Sequence, residues 1–183
     1  DLKDNYKTGV DITQAYPQPY DPYDQSGCGY TDGHGTHVSG IIAASDNTIG
    51  IIGVSPEVSL YVIRVKDVLC GINVVYLINA IEWAINNKMN IIQMSLGSTE
   101  FSQSEKDACD IAYASGILLI AAAGNDGGSD TSNTVNYPAI LDSVIAVAAT
   151  DSSNDRASFS NTGPQIEISA PGVGINSTFP GNI

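Results

Sequence analysis

The chain has 183 residues, of which 43% are hydrophobic and 15% charged, so it can bury the core of one domain. Seven lysines and arginines stand against 20 aspartates and glutamates, a net charge of −13. This balance argues against nucleic acid and against an anionic membrane surface as partners. The longest apolar run, 116–123, has the length of a strand rather than of a membrane span.

The chain begins with a polar stretch, 1–33, that we predict to be irregular and to contain a proline-rich surface loop over 16–24. From residue 34 onward, apolar strand-like runs alternate with helical patterns. We predict strands over 58–65, 89–94, 116–123 and 143–149, and helices over 73–87 and from a capping box at 102–105 to near Gly116. Nearly continuous apolar strands separated by helices indicate a parallel sheet. The predicted fold class is therefore α/β, with three layers and a mostly parallel central sheet flanked by helices.

Two short segments follow predicted strands directly, Ser95-Leu96-Gly97 and Gly124-Asn125. In parallel sheets, ligands bind at the carboxyl ends of the strands. We therefore expect both segments to lie at one edge of the sheet, where a substrate can bind.

His34 lies between two glycines in the string Asp-Gly-His-Gly-Thr-His-Val-Ser-Gly, just before a helix-like apolar run. An exposed imidazole suits a general base. Asn125 lies between Gly124 and Gly127, and a rigidly held amide can donate to an oxyanion. The alternatives are a structural histidine, a turn asparagine and metal ligation by His34 and His37, which lacks a third ligand.

These strings and several others, in the same order, resemble the subtilisin-like serine peptidases, the subtilase family. The other strings are 1–3, 47–54, 81–84, 94–97, 137–139, 151–160, 170–173 and 177–182. The resemblance implies a subtilisin-like fold and a serine endopeptidase that hydrolyses peptide bonds of proteins through an acyl-enzyme and a Ser-His-Asp triad.

Carried over residue by residue, the resemblance makes His34 the catalytic general base and Asn125 the side-chain donor of the oxyanion hole. It also implies two walls of a substrate pocket, formed by Ser95, Leu96 and Gly97 on one side and by Ala122, Ala123 and Gly124 on the other. Because these residues are small, we expect a deep apolar slot that favours large uncharged side chains.

The same resemblance implies a structural calcium ion. Its ligands would be the carboxylate of Asp1, the side chain of Asn47 and the backbone oxygens of Ser45, Ile49 and Ile51. Calcium binds several carboxylate and carbonyl oxygens, so the ligand chemistry fits. The alternative is an ordinary surface turn.

The family's catalytic aspartate and serine would lie just before Asp1 and shortly after Ile183. We therefore expect residues 1–183 to be a single partial peptidase domain, an internal fragment of a longer parent protein that is truncated at both ends. Without the aspartate and serine of the parent, the fragment is expected to be inactive. The parent would act on polypeptides as a secreted monomer, although three cysteines leave an intracellular protein open. The rival hypotheses are a catalytically dead peptide-binding relative and a nucleotide-binding domain, and the latter lacks a phosphate-binding glycine motif.

One departure from the family concerns the segment 66–73, which is apolar and contains Cys70 where the family has a glycine-rich edge. We expect thiol reagents to inhibit the parent if Cys70 lies at the binding edge. The spacing of Cys28, Cys70 and Cys109 matches neither a zinc knuckle nor a redox pair, so free or buried thiols are predicted.

Overall fold

The structure is a computed structural model that describes residues 1–13, 33–66, 71–127 and 133–180. The predicted loop at 16–24, Cys28 and the Cys70 edge lie outside these ranges. The helices and strands in chain order are β1 (Tyr6–Asp11), α1 (His34–Ala43), β2 (Leu60–Arg64), α2 (Val74–Asn86), β3 (Ile91–Met94), α3 (Gln103–Ala114), β4 (Leu118–Ala122), β5 (Val144–Thr150) and β6 (Ile166–Pro171).

The strands form parallel sheets, and helices pack against them, which confirms the α/β class. The described strands divide between two sheets, β1-β2 and β3-β4-β5-β6, rather than joining in one. The chain forms two compact units, the first from Asp1–Ala80 with Asn176–Ile183 and the second from Ile81–Ile175. Its assignment to a single peptidase domain stays a prediction. Within the ranges given above, no helix has the length and apolar character needed to cross a membrane.

The first unit contains β1, a strand in the stretch that the sequence predicts to be irregular, and that prediction was wrong. β1 pairs in parallel with β2, from Tyr6 beside Leu60 to Asp11 beside Arg64. Its middle residues, Lys-Thr-Gly, show no alternation of apolar and polar side chains, so periodicity gives no strand signal. The hydrogen bonds to β2 therefore establish the strand.

α1 also belongs to the first unit, and backbone amides of a neighbouring segment form hydrogen bonds with the carbonyl oxygens at its carboxyl end. The amides of Gly53, Val54 and Ser55 donate to carbonyl oxygens at 41, 42 and 44 over 2.8–2.9 Å. A Cβ on Gly53 would lie 2.5 Å from the backbone nitrogen of Ala44, so only glycine fits there. The loop 45–51 is thus held between the end of α1 and the 53–55 segment.

The second unit contains the four-stranded parallel sheet. Leu119 and Ala121 of β4 are each 1% exposed and contribute to its core. α3 begins at the predicted capping box, where the Ser102 hydroxyl accepts from the amide of Glu105 at 3.3 Å. The predicted strands all occur, with ends within about two residues of those observed, whereas β6 was missed.

Candidate active site

His34 is the first residue of α1 and is exposed. The residue before it, Gly33, has a φ of 62°, a left-handed conformation that glycine adopts without strain. A Cβ on Gly33 would lie 2.5 Å from the Phe179 ring and 2.8 Å from the Pro180 side chain. A glycine at this position therefore lets the 177–180 segment approach the start of the helix closely.

The 177–180 segment runs antiparallel to α1. The Ser177 hydroxyl donates to the carbonyl oxygen of His37 at 2.6 Å, and the Thr178 hydroxyl donates to the carbonyl oxygen of Thr36 at 2.7 Å. The contacts move toward the start of the helix as the chain advances. The segment therefore reaches the end of α1 that carries His34.

The five predicted calcium ligands all belong to the first unit, and hydrogen bonds join Asp1 to Ser45 and Ile51 and join Asn47 to Ile49. The carboxylate of Asp1 accepts from the amide of Ile51 at 3.3 Å, and its carbonyl oxygen accepts from the amide of Ser45 at 2.8 Å. The Asn47 side-chain oxygen accepts from the amide of Ile49 at 2.7 Å. These bonds attach both ends of the 45–51 loop to Asp1.

One oxygen of this carboxylate, Asp1 Oδ1, is buried and has no hydrogen-bond partner. A buried, unpaired carboxylate oxygen is costly unless a cation compensates it. The described part of the chain contains no group of three or more His, Cys, Asp or Glu side chains suited to a metal. A site here would depend on one carboxylate with amide and carbonyl oxygens, a donor set that fits a hard cation such as calcium.

In the second unit, the two predicted pocket walls follow neighbouring strands. β3 ends at Met94, directly before the first wall, 95–97, and β4 ends at Ala122, within the second wall, 122–124. β3 and β4 are adjacent and parallel, with Met94 beside Ala121. Both walls therefore lie at the carboxyl edge of one sheet, as the sequence predicts.

Asn125 is exposed in the turn after β4, and buried Asn161 fixes the backbone on either side of it. The Asn161 amide nitrogen donates to the carbonyl oxygens of Ala123 at 3.0 Å and Thr134 at 2.7 Å. Its amide oxygen accepts from the backbone nitrogen of Asp126 at 2.7 Å. This arrangement suits an oxyanion donor, because a preorganised dipole does not need to reorient during the reaction.

Gly124 has a φ of 112°, and a Cβ there would lie 2.6 Å from the Asn136 amide nitrogen and would also collide with the Asn161 amide. Sequence reasoning missed Asn136 and Asn161. Asn161 lies in Ser-Asn-Thr-Gly, a string typical of an exposed turn, so nothing in the sequence indicates its complete burial.

The site residues divide between the two units. His34 and the five predicted calcium ligands belong to the first, and Asn125 with the two walls belongs to the second. Their roles in catalysis, substrate binding and metal binding stay predictions.

Comparisons with known proteins give one consistent result. A family model described as the subtilase family matches residues 1–182. Subtilisin DY of Bacillus licheniformis is 52% identical over 151 residues, 82% of this chain and 55% of the relative. Subtilisin amylosacchariticus of Bacillus subtilis subsp. amylosacchariticus is 53% identical over 154 residues, 83% of this chain and 40% of the relative. The minor extracellular protease Epr of Bacillus subtilis (strain 168) is 47% identical over 148 residues, 81% of this chain and 22% of the relative. The chain thus spans about half the length of the first of these relatives and less of the others.

Proposed function

The chain belongs to the subtilase family, and on that premise we propose that the protein containing it is a serine endopeptidase that hydrolyses peptide bonds of proteins. The observation that carries the proposal is the antiparallel course of the 177–180 segment along α1. A serine nucleophile shortly after Ile183 would follow a segment that already reaches the His34 end of the helix.

In the proposed reaction, the serine oxygen attacks the carbonyl carbon of the scissile bond while His34 takes the serine proton. The oxygen of the tetrahedral intermediate becomes an oxyanion, and the Asn125 amide donates a hydrogen bond to it. The carbon–nitrogen bond then breaks, and His34 returns the proton to the leaving amine. Water then hydrolyses the resulting ester by the same steps, with His34 again transferring the proton. Throughout the reaction, an aspartate before Asp1 orients the His34 ring.

The substrate would bind as an extended peptide at the carboxyl edge of the four-stranded sheet. The first wall, 95–97, directly follows β3. Its backbone would form strand-like hydrogen bonds with the extended peptide. Polypeptides are therefore the proposed partners, and the protein is proposed to work as a monomer.

We also propose that calcium binds in the 45–51 loop and stabilises the folded protein. The support is the buried, unpaired Asp1 Oδ1 atom, whose carboxylate already contacts the loop through the amide of Ile51. Binding to the folded state alone shifts the equilibrium away from unfolding. An extracellular location is proposed by analogy with the relative named as an extracellular protease.

The test compares two histidines on the same helix. The longer protein, with the segments before Asp1 and after Ile183, is assayed for casein hydrolysis. His34→Ala is expected to lower kcat by about ten-thousand-fold or more, because no group is left to take the serine proton. His37→Gln serves as the matched control and is expected to retain kcat within about tenfold, since the proposal gives its side chain no catalytic role. Equal losses in the two variants, or no activity in the unmodified longer protein, would contradict the proposal.

A further inference from the structure

One face of α1 and of the residue that caps it contacts the 177–180 segment. The contacts involve Gly33, Thr36, His37 and Gly40. Residues separated by three, four and seven positions lie on the same face of a helix. Two of the four are glycines, so this face has a groove where side chains would otherwise project. The 177–180 segment lies in that groove.

Gly40 lies inside α1 and is buried. A Cβ at this position would overlap the hydroxyl oxygens of both Ser177 and Thr178, and it would lie 2.9 Å from the Thr178 backbone nitrogen. Glycine inside a helix is unfavourable relative to alanine. The missing side chain therefore costs helix stability, and in return it makes room for the two hydroxyl groups.

The two hydroxyl bonds fix the register of the segment along the helix. Ser177 donates to the carbonyl oxygen of His37, and Thr178 donates to that of Thr36, the preceding residue. A slip by one residue would move the segment by about 3.3 Å, the length of one extended residue, and would break both bonds. Reacting atoms must lie within about 3.5 Å of each other. A displacement of that size would therefore stop a reaction whose nucleophile follows the segment.

We propose that Ser177 and Thr178 are positioning residues, which hold the chain leading to the nucleophile at the end of α1 that carries His34. This inference rests on the proposed function, in which the serine follows Ile183. The two hydroxyls act through the backbone of α1, and the proposal gives them no contact with the substrate. Loss of a hydroxyl is thus expected to slow the chemical step and to leave substrate binding nearly unchanged.

The first test uses the longer protein and compares Thr178→Val with Thr178→Ser. Valine keeps the branched shape of threonine without its donor, whereas serine keeps the donor. When active sites are counted by complete fluorophosphonate labelling, Thr178→Val is expected to lower both kcat per site and the labelling rate by about tenfold or more. KM should stay within about threefold, and Thr178→Ser should retain both rates within about threefold.

This comparison distinguishes positioning from a merely structural role. A structural hydroxyl would change the number of active sites in Thr178→Val but not the kcat of each site. Equal kcat per site in Thr178→Val and Thr178→Ser would overturn the inference.

A second test approaches the same contact from the helix. Gly40→Ala adds the methyl group that would overlap both hydroxyls, although alanine favours the helix. It is expected to lower kcat per site about as much as Thr178→Val does. Because both substitutions disturb one contact, the double variant should lose less activity than the product of the two single losses. Losses that multiply would show that the two positions act independently and would overturn the inference.

Hydrogen exchange separates this inference from the proposed function. In the longer protein, Thr178→Val is expected to accelerate amide exchange in α1 and in the 177–180 segment together, whereas Thr178→Ser is not. If the unmodified protein neither hydrolyses peptides nor reacts with the fluorophosphonate but these variants show this exchange pattern, the proposed function fails and the coupling of the segment to α1 stands. If hydrolysis and labelling occur and Thr178→Val leaves both unchanged, the inference fails alone.

Discussion

The Asn161 side-chain amide donates to the carbonyl oxygen of Ala123 at 3.0 Å, across a separation of 38 residues. Asn161 is fully buried, and its other hydrogen bonds go to Thr134 and Asp126. One side chain thus fixes the turn that presents Asn125 and links it to a distant loop. Rigidity of this kind is what an oxyanion donor requires.

Replacing Asn161 with alanine is expected to lower the free energy of unfolding by about 2–3 kcal/mol, because three buried or partly buried hydrogen bonds to the backbone are lost. Urea unfolding measures this change. The matched control is Asn87→Ala, in which an exposed asparagine loses a single bond to its own helix at Trp83. The control is expected to change stability by less than about 1 kcal/mol, and comparable effects in the two variants would argue against a special role for Asn161.

Calcium removal is expected to lower the melting temperature of the protein by about 5 °C or more, if calcium is supplied at about a hundred times its dissociation constant. Asp1→Asn keeps the shape of the side chain and removes its charge, so the variant is expected to lose most of this response. Asp4→Asn is the control, because Asp4 is exposed and its backbone oxygen accepts from the Lys7 side chain at 3.0 Å. A melting temperature that changes with neither added calcium nor added chelator would refute the proposed site.

Glu105 is expected to make the protein less stable at neutral than at acidic pH. Burial raises the pKa of Glu105 above its ordinary value, so the folded state holds the proton more tightly than the unfolded state. The stabilising contribution is complete below the unfolded pKa and is lost as pH rises through the folded pKa. Glu105→Gln is therefore expected to reduce the loss of stability between about pH 4 and pH 7. Urea unfolding across this pH range measures the free energy of unfolding, and Glu82→Gln, at an exposed position, is the control. Identical dependence of this free energy on pH in wild type and Glu105→Gln would contradict the prediction.

Cys109 is expected to be unreactive in the folded protein. It is free and buried, and burial, together with Glu105 and Asp110, raises its pKa to about 12. Because the thiolate is the reactive form, iodoacetamide at about pH 8 should leave Cys109 unmodified until urea unfolds the chain. Mass spectrometry of tryptic peptides reads the labelling at this residue. Rapid labelling under native conditions would show that the α3 face is more accessible than its packing indicates.

Local sequence rules predicted several helix starts and strand ends. The capping box at Ser102, the Asn73 cap of α2 and the strand ends that lead into the two walls all appear where the sequence places them, within about two residues. These features depend on residues close together in the chain, so they can be predicted from the local sequence pattern. β1 was missed because its pairing with a strand more than 50 residues away, not its own pattern, defines it.

The polar framework of the site was less accessible to sequence reasoning. Asn136 and Asn161 belong to strings typical of turns, yet both are buried and contact residues far away in the sequence. Their hydrogen bonds depend on tertiary contacts that no local pattern encodes. The candidate donor Asn125 was found through a resemblance, whereas the residues that hold it required the structure.

The most direct test of the central claim is covalent labelling of the longer protein with a fluorophosphonate, followed by intact-mass measurement. A serine activated by His34 attacks phosphorus and expels fluoride, so the account predicts one phosphonyl group per molecule, on a serine after Ile183. Labelling should be lost in His34→Ala and kept in His37→Gln. A longer protein that stays unlabelled, or is labelled equally in His34→Ala, would contradict the assignment of this chain to a serine peptidase that uses His34 as its base.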